Sequence, residues 1–307
     1  MTRRIALAVG IVCVTGMLAF AQQTPAPGGR QGGGRGQGRG GGGGGARPAK
    51  VRKTLLIWAD TRNGIAQHDS VSHAMSVIER LGYETGAYDS YIRTDSNIIA
   101  KQPLQTTGQP ASEGPSLSNV DGIFFLGHRE VPLDEKQKAE LLSFVRDDGK
   151  GFVAAHTATT AFLNWPEFGE LLGARYDDHP WNTAAGTIIN EDPSFPATKH
   201  FPSAFAFTDE FYQSKDYSRD KLRVLLRLDV SKMPPNSDVH RTDGDFPLVW
   251  AKMYGKGRVF YSSLGHAAST WDDRDIQQMY FEAVKWSLGI TDADVTPRPF
   301  LASTGSR

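Results

Sequence analysis

Short apolar segments alternate with amphipathic segments of helical length over the first half of this chain. Strands that are buried on both faces have such continuous apolar sequences, because neither face meets water. The order strand, helix, strand, strand, helix, strand is typical of a parallel sheet with crossover helices. We therefore predict an α/β fold, a mostly parallel sheet flanked by helices, with these first four strands: Lys53–Ala59, Thr85–Tyr91, Val120–Leu126 and Gly151–Ala155.

Two amphipathic segments supply the crossover helices. In the first, apolar residues recur at helical spacing between Ser70, its N-cap, and Gly82, which follows its last turn. The second is the segment Pro132–Arg146. The rest of the chain adds these predicted elements: strands at Ala185–Ile189, Leu222–Leu228, Phe246–Met253 and Gly257–Ser263, a closing helix at Asp272–Leu288, and a loose tail after Thr291.

The amino terminus carries two segments that do not belong to this fold. Residues 1–21 contain two arginines, an apolar run and an Ala-Phe-Ala ending, which is the pattern of a secretory signal peptide. Residues 22–50 are rich in Gly and Arg and nearly devoid of apolar side chains, so they are predicted to be a disordered linker. We expect a secreted or periplasmic protein without a transmembrane segment after signal cleavage, an α/β domain at residues 51–290 and a tail at 291–307.

The composition excludes several kinds of chemistry. The only cysteine, Cys13, lies in the predicted signal peptide, so the mature chain has no thiolate for catalysis or metal binding. Residues 51–307 carry 27 basic and 34 acidic residues, and this negative charge argues against nucleic-acid binding by the folded domain. The sequence lacks the Gly-rich patterns of dinucleotide and ATP sites, so no nucleotide cofactor is expected.

Histidines follow four of the predicted strands. In open parallel sheets, ligands bind beyond the carboxyl ends of the strands. His156 lies in the tight turn after the fourth strand, where small neighbours present its ring. We predict that His156 and His266 are catalytic and that His68 and His128 bind substrate. The alternative for each is a structural histidine with satisfied hydrogen bonds.

Two other segments carry candidate site residues. His179 and Trp181, in the sequence HPW, combine an imidazole with an aromatic face that suits a sugar ring. In the sequence DEFY, Glu210 and Tyr212 point to the same side if the segment is extended. We predict that Glu210 is catalytic and that His179, Trp181, Tyr212 and Trp271 bind substrate. The alternatives are that Trp181 fills the core and that DEFY is an ordinary strand edge.

Imidazole and carboxylate groups also suit a divalent transition metal. No short zinc motif is present, so the ligands would have to converge from distant loops. A chemically reasonable metal set is His156, His179, Glu210 and His266. Metal-free acid–base chemistry by the same residues is the alternative.

Four separated motifs occur in a recognisable order: VDGIFFLGHREVPLDEKQKAELLSFVRDDGKGFVAAHTA, HPW, DEFY and GKGRVFYSSLGHAASTWDD. Together they resemble the ThuA-like family, which is named for trehalose utilisation, over nearly all of residues 53–290. The resemblance implies a class I glutamine amidotransferase-like (flavodoxin-like) three-layer sandwich whose pocket the DEFY segment lines. Amidotransferases carry a cysteine nucleophile where this chain has His156, so glutamine hydrolysis by a thiolate is excluded.

The resemblance also implies a carbohydrate ligand: a sugar, a disaccharide or a keto-sugar derivative. The first expectation is a carbohydrate-active hydrolase, lyase or isomerase that uses His-based acid–base or metal-assisted chemistry. The alternative is a non-catalytic periplasmic sugar-binding module on the same scaffold. A third and weaker interpretation is an interaction protein whose Arg-Gly linker contacts RNA or an anionic surface. The sequence carries no signal for an oligomeric state.

Overall fold

The computed structural model describes residues 52–62 and 67–300. The predicted signal peptide at 1–21 and the predicted linker at 22–50 lie outside the described residues, as does the end of the predicted tail. No helix within the described ranges is long and apolar enough to cross a membrane.

The described residues form eleven strands and four α-helices. The strands are β1 (Lys53–Trp58), β2 (Tyr88–Arg93), β3 (Gly122–Phe125), β4 (Gly151–Ala155), β5 (Arg175–Asp178), β6 (Thr183–Asn190), β7 (Ala204–Glu210), β8 (Gln213–Lys215), β9 (Arg223–Leu228), β10 (Pro247–Tyr254) and β11 (Gly257–Ser262). The α-helices are α1 (Ser70–Thr85), α2 (Glu135–Arg146), α3 (Pro166–Leu172) and α4 (Arg274–Ser287).

One large sheet contains nine strands in the order β2-β1-β3-β4-β11-β10-β9-β6-β7. Neighbouring strands from β2 to β11 are parallel. Neighbours from β11 to β7 are antiparallel, so β10 and β6 run against the other strands of this sheet. The remaining strands, β5 and β8, form a separate antiparallel pair. The predicted α/β fold with a mostly parallel sheet is confirmed.

Helices cover both faces of the sheet, which produces three layers. Leu55 and Ile57 of β1 belong to the core cluster that includes the inward residues of α1 and α4. Leu56 and Trp58 belong to the cluster that includes α2 and α3. All four side chains are fully buried. This burial on both faces explains why β1 is apolar without a polar alternation.

The predicted end of α1 at Gly82 is wrong. The helix continues to Thr85, and Gly86 terminates it in the left-handed conformation with φ of 65°. Gly82 lies inside the helix, where a Cβ would collide with the ring of Tyr88. The glycine therefore allows α1 to approach β2 closely, and it does not end the helix.

The middle of the chain adds elements beyond the two strands predicted there. Those two strands correspond to β6 and β9, while α3, β5, β7 and β8 were not predicted. Strand β7 lies at the outer edge of the sheet and alternates exposed with half-buried residues over most of its length. Its only buried residues are its last two, Asp209 and Glu210, so burial and apolar sequence do not coincide in β7 as they do in the central strands.

The segment after Thr291, predicted as a loose tail, forms hydrogen bonds with the domain as far as it is described. Arg258 donates to the backbone oxygen of Thr291 at 2.8 Å. Arg223 donates to the backbone oxygen of Thr296 at 2.8 Å, and its guanidinium also pairs with buried Asp192. Two largely buried arginines thus hold this segment against β9 and β11.

Candidate functional site

Five side chains meet at the carboxyl end of the sheet, because β1, β3, β4, β7 and β11 all end there. These side chains are His68, His128, His156, Glu210 and His266. The ring of His68 is central: its centroid lies 5.5 Å from that of His128, 5.1 Å from that of His156 and 4.9 Å from that of His266. Reversal of both β10 and β6 brings the end of β7, and with it Glu210, to this end of the sheet.

Four of these residues could hold one metal ion: His68, His156, Glu210 and His266. Each offers one ligand atom, and these atoms all lie within 4.8 Å of one another. Glu210 Oε2 lies 3.4 Å from His156 Nε2 and 3.2 Å from His266 Nδ1. Two ligands of a tetrahedral metal with bonds of about 2.1 Å are about 3.4 Å apart. These two separations fit a shared ion, and the wider ones, which reach at most 4.8 Å, would have to contract.

His156 is fully buried and held in one orientation. It follows β4 directly, begins a 3₁₀ helix (His156–Thr160) and has φ of 42°, a left-handed conformation that is costly for a residue with a side chain. Its Nδ1 donates to the backbone oxygen of Ser263 at 2.6 Å. Because that oxygen can only accept, the proton lies on Nδ1, and Nε2 is directed towards the Glu210 carboxylate.

Two groups approach His156 Nε2 together: the Tyr212 hydroxyl at 2.9 Å and Glu210 Oε2 at 3.4 Å. With the proton on Nδ1, the Nε2 lone pair accepts a hydrogen bond from the Tyr212 hydroxyl and also lies close to the carboxylate, which repels it. Burial alone would raise the pKa of Glu210, but the imidazoles of His156 and His266 outweigh burial and hold that pKa well below its usual range. The carboxylate is therefore ionised, and a cation bound between Glu210 and these imidazoles would be favoured by its charge.

His266 and His68 differ in their electrostatic setting. The Glu210 carboxylate raises the pKa of His266, although burial opposes this effect. The 3.2 Å contact lacks hydrogen-bond alignment, so the buried Nδ1 of His266 has no hydrogen-bond partner among the described residues. Burial and the neighbouring imidazoles lower the pKa of His68 to about 4, which leaves it neutral and able to ligate at physiological pH.

Asp209 fixes the positions of both Glu210 and His266. Its buried carboxylate accepts hydrogen bonds from the backbone nitrogens of Glu210 at 2.8 Å, Gly265 at 2.9 Å and His266 at 3.1 Å. The hydroxyl of Thr270 donates to it at 3.2 Å. No local sequence pattern indicates this role, because the partners other than Glu210 lie more than 50 residues away in the chain.

Two cavities open beside the cluster and share His68, His128 and Arg129 in their walls. One has a volume of about 370 Å³ and is also lined by Leu163, Tyr176, His179, Glu210, Tyr212 and Thr160. The other has a volume of about 600 Å³ and includes His266 and the polar residues Gln67 and Asp69. Both volumes fall in the range of small-molecule sites.

Tyr212 connects the cluster to the smaller cavity. Its ring stacks on His156 with centroids 4.4 Å apart, and its hydroxyl lies 2.9 Å from His156 Nε2. Burial, followed by the Glu210 carboxylate, raises the pKa of Tyr212 far above its usual value, so the hydroxyl stays protonated. Tyr176 packs edge-on against Tyr212 and was not among the predicted site residues.

The remaining predicted residues lie in three different settings. His179 lines the smaller cavity, but its Nε2 is 3.8 Å from Glu210 Oε1 and it lies outside the ligand group, in which His68 takes its place. Trp181 packs on Phe246, and its indole nitrogen donates to the backbone oxygen of Pro234. Trp271 is fully buried, stacks on Tyr280 and has no exposed surface for a sugar. The substrate-binding role assigned to Trp271 is therefore corrected to one in the core.

Comparisons with known proteins agree with the fold. The ThuA family model, described as trehalose utilisation, matches residues 54–287. A ThuA-like protein from Bacteroides uniformis ATCC 8492 is 22% identical with a TM-score of 0.61, over 79% of this chain and 94% of that chain. One from Parabacteroides merdae ATCC 43184 is 18% identical with a TM-score of 0.59, over 83% and 96%. No curated protein matches the chain. The expected glutamine amidotransferase-like fold is thereby confirmed.

Proposed function

The chain belongs to the ThuA family, and on this premise we propose that it is a carbohydrate-active enzyme with one divalent transition metal bound by His68, His156, Glu210 and His266. The main observation in favour of a metal site is the orientation of His156. Its Nδ1 is committed to Ser263, and its Nε2 faces an ionised carboxylate. The buried Nδ1 of His266 has no hydrogen-bond partner within residues 52–62 and 67–300 and faces the same carboxylate oxygen, so both imidazoles suit a common cation.

The donor set of imidazoles and one carboxylate suits zinc, iron, manganese or nickel. Such an ion, when bound, would polarise a substrate oxygen or lower the pKa of a bound water. The protein contributes orientation: Ser263 holds His156, and Asp209 holds both Glu210 and His266. His179, which lies in the cavity wall beside Glu210 Oε1, is placed to exchange a proton with a bound substrate.

The family description supports a carbohydrate as the substrate class, and the smaller cavity is compatible with it. Tyr176 and Tyr212 present aromatic surface, and His128, His179 and Thr160 present hydrogen-bonding groups around the same space. Sugar rings need both kinds of contact, because they have apolar faces and polar edges. The predicted signal peptide supports secretion as part of this proposal, and cell fractionation would test that part separately.

Elemental analysis of the full chain, purified without a polyhistidine tag and without chelator, tests the metal. We expect about one equivalent of a transition metal per chain in the wild type and almost none in His156→Ala. His73→Ala is the matched control, since His73 lies on α1 and pairs with exposed Asp272 outside the ligand group. A metal-free wild type, or equal metal content in His156→Ala and His73→Ala, would refute the metal site. Metal-free acid–base chemistry and sugar binding would then be the remaining functions.

A separate experiment tests whether the protein is an enzyme. The metal-loaded protein is screened for hydrolysis, elimination and isomerisation of disaccharides and keto-sugar glycosides. We expect turnover that His156→Ala and Glu210→Gln abolish, while His73→Ala retains it. If calorimetry detected sugar binding but no product formed over hours, the protein would be a sugar-binding module and not an enzyme.

A further inference from the structure

Arg129 occupies the boundary between the two cavities, and the proposed metal site does not use it. It is exposed, and it lines both cavities together with His68 and His128. Among residues 52–62 and 67–300, no carboxylate forms an ion pair with its guanidinium. Arg219, by contrast, pairs with both Glu191 and Asp245.

The backbone and the inner edge of Arg129 are held in place. Its φ of 56° is left-handed, a conformation that carries strain in a residue with a side chain. The nitrogen of Phe162 donates to its backbone oxygen at 3.0 Å. Its Nε donates to His128 Nε2 at 3.3 Å. The guanidinium is therefore oriented from both its backbone and its Nε.

A hydrogen-bond chain fixes His128 beneath it. Because His128 Nε2 accepts from Arg129, the proton of the neutral ring lies on Nδ1, which donates to the hydroxyl of Thr160 at 2.8 Å. That hydroxyl donates in turn to the backbone oxygen of Thr157 at 2.8 Å. With Nε engaged, the two terminal nitrogens of Arg129 are the edge that remains for a ligand. A planar pair of N–H groups on one edge matches the two oxygens of a carboxylate or phosphate.

We propose that Arg129 is a specificity determinant that binds an anionic group of the sugar substrate, a carboxylate or a phosphate, at the boundary of the two cavities. The inference rests on the proposed carbohydrate function and narrows it to acidic sugars. An anion at this position would give the guanidinium the negatively charged partner that no carboxylate of residues 52–62 and 67–300 provides. The neutral part of the sugar would then lie towards Tyr176 and Tyr212 in the smaller cavity.

Calorimetric titration of the full metal-loaded chain tests this proposal without requiring turnover. The probes are glucuronate, glucose 6-phosphate and glucose, which share a ring and differ in charge. We expect glucuronate or glucose 6-phosphate to bind at least tenfold more tightly than glucose, and the stronger of the two identifies the anion. Arg129→Gln should remove this preference, while Arg129→Lys retains part of it.

Arg52→Gln is the matched control. Arg52 is an exposed arginine at the amino end of β1, opposite the site, and its surface pair with Asp89 contributes little. Loss of the preference in Arg129→Gln but not in Arg52→Gln supports the proposal. Equal binding of charged and neutral sugars, or a preference that survives Arg129→Gln, overturns it while the carbohydrate function stands. Absence of binding by all three sugars overturns both.

Discussion

Replacement of Asp209 by asparagine tests whether one buried carboxylate holds the site together. Oδ1 accepts from the nitrogens of Glu210 and His266, and Oδ2 accepts from the nitrogen of Gly265 and the hydroxyl of Thr270. Asparagine keeps one acceptor oxygen and replaces the other with a donor. The Thr270 hydroxyl can rotate to accept from that donor, but the Gly265 N–H cannot.

The least costly orientation of the asparagine side chain therefore leaves one backbone N–H without a partner. An unsatisfied buried donor costs about 1–3 kcal/mol, and the remaining bonds lose the extra strength of a charged acceptor. Together these losses predict that Asp209→Asn lowers the free energy of unfolding by about 2–4 kcal/mol. Because His266 loses its fixed position, metal affinity should also fall by about 10- to 100-fold, as for other residues that orient ligands.

Two measurements on the same samples check this reasoning. Urea unfolding of the metal-free proteins gives the change in stability, and competition with a chelator gives metal affinity for the folded fraction. Asp89→Asn is the control, since Asp89 is exposed and its loss should change stability by less than about 1 kcal/mol. If Asp209→Asn behaved like the control in both measurements, the positioning role of Asp209 would be refuted.

Three further predictions follow from individual contacts. Tyr212→Phe removes a hydroxyl that competes with a metal for His156 Nε2, so chelator competition should show equal or tighter metal binding; a tenfold loss would contradict this. The pKa of His68 lies below its unfolded value, so its contribution to stability is present above about pH 6.5 and is lost as the pH falls towards 4. Urea midpoints of the chelated wild type should accordingly drop more between pH 7 and pH 4 than those of His68→Gln, and parallel curves would exclude the effect. Gly82→Ala should destabilise by about 1–3 kcal/mol because its methyl group overlaps the Tyr88 ring, and an unchanged melting curve would show that the ring moves freely.

The central strands of the fold were predictable from local sequence. β4 was predicted with its observed bounds, and β1 and β3 to within one or two residues of each end, because burial on both faces leaves an apolar run. β7 was not predicted, since alternate side chains along it are exposed and its only buried residues, Asp209 and Glu210, are acidic. The prediction that Gly82 ends α1 was wrong because a glycine that permits close packing and a glycine that ends a helix look the same in sequence.

The residues of the candidate site were also predictable only in part. Histidines at the carboxyl ends of strands were evident, and the sequence singled out His156, Glu210 and His266 as residues of one site. It named His179 as a possible metal ligand and His68 as a substrate-binding residue, whereas the side chains close enough to share an ion include His68 and not His179. The reason is geometric: His68 lies just before α1 with its ring against those of His128, His156 and His266, and no sequence periodicity indicates these contacts.

The sequence by itself determined the α/β class, the lack of cysteine in residues 51–307 and the strand ends at which side chains gather. These follow from composition and from the spacing of apolar residues, which local physics relates directly to structure. Tertiary structure alone decided which side chains converge, the tautomer of His156, the burial of Trp271 and the hydrogen bonds by which Asp209 positions Glu210 and His266. Each depends on atoms brought together from distant parts of the chain, and their hydrogen bonds and separations exist only once the sheet has assembled.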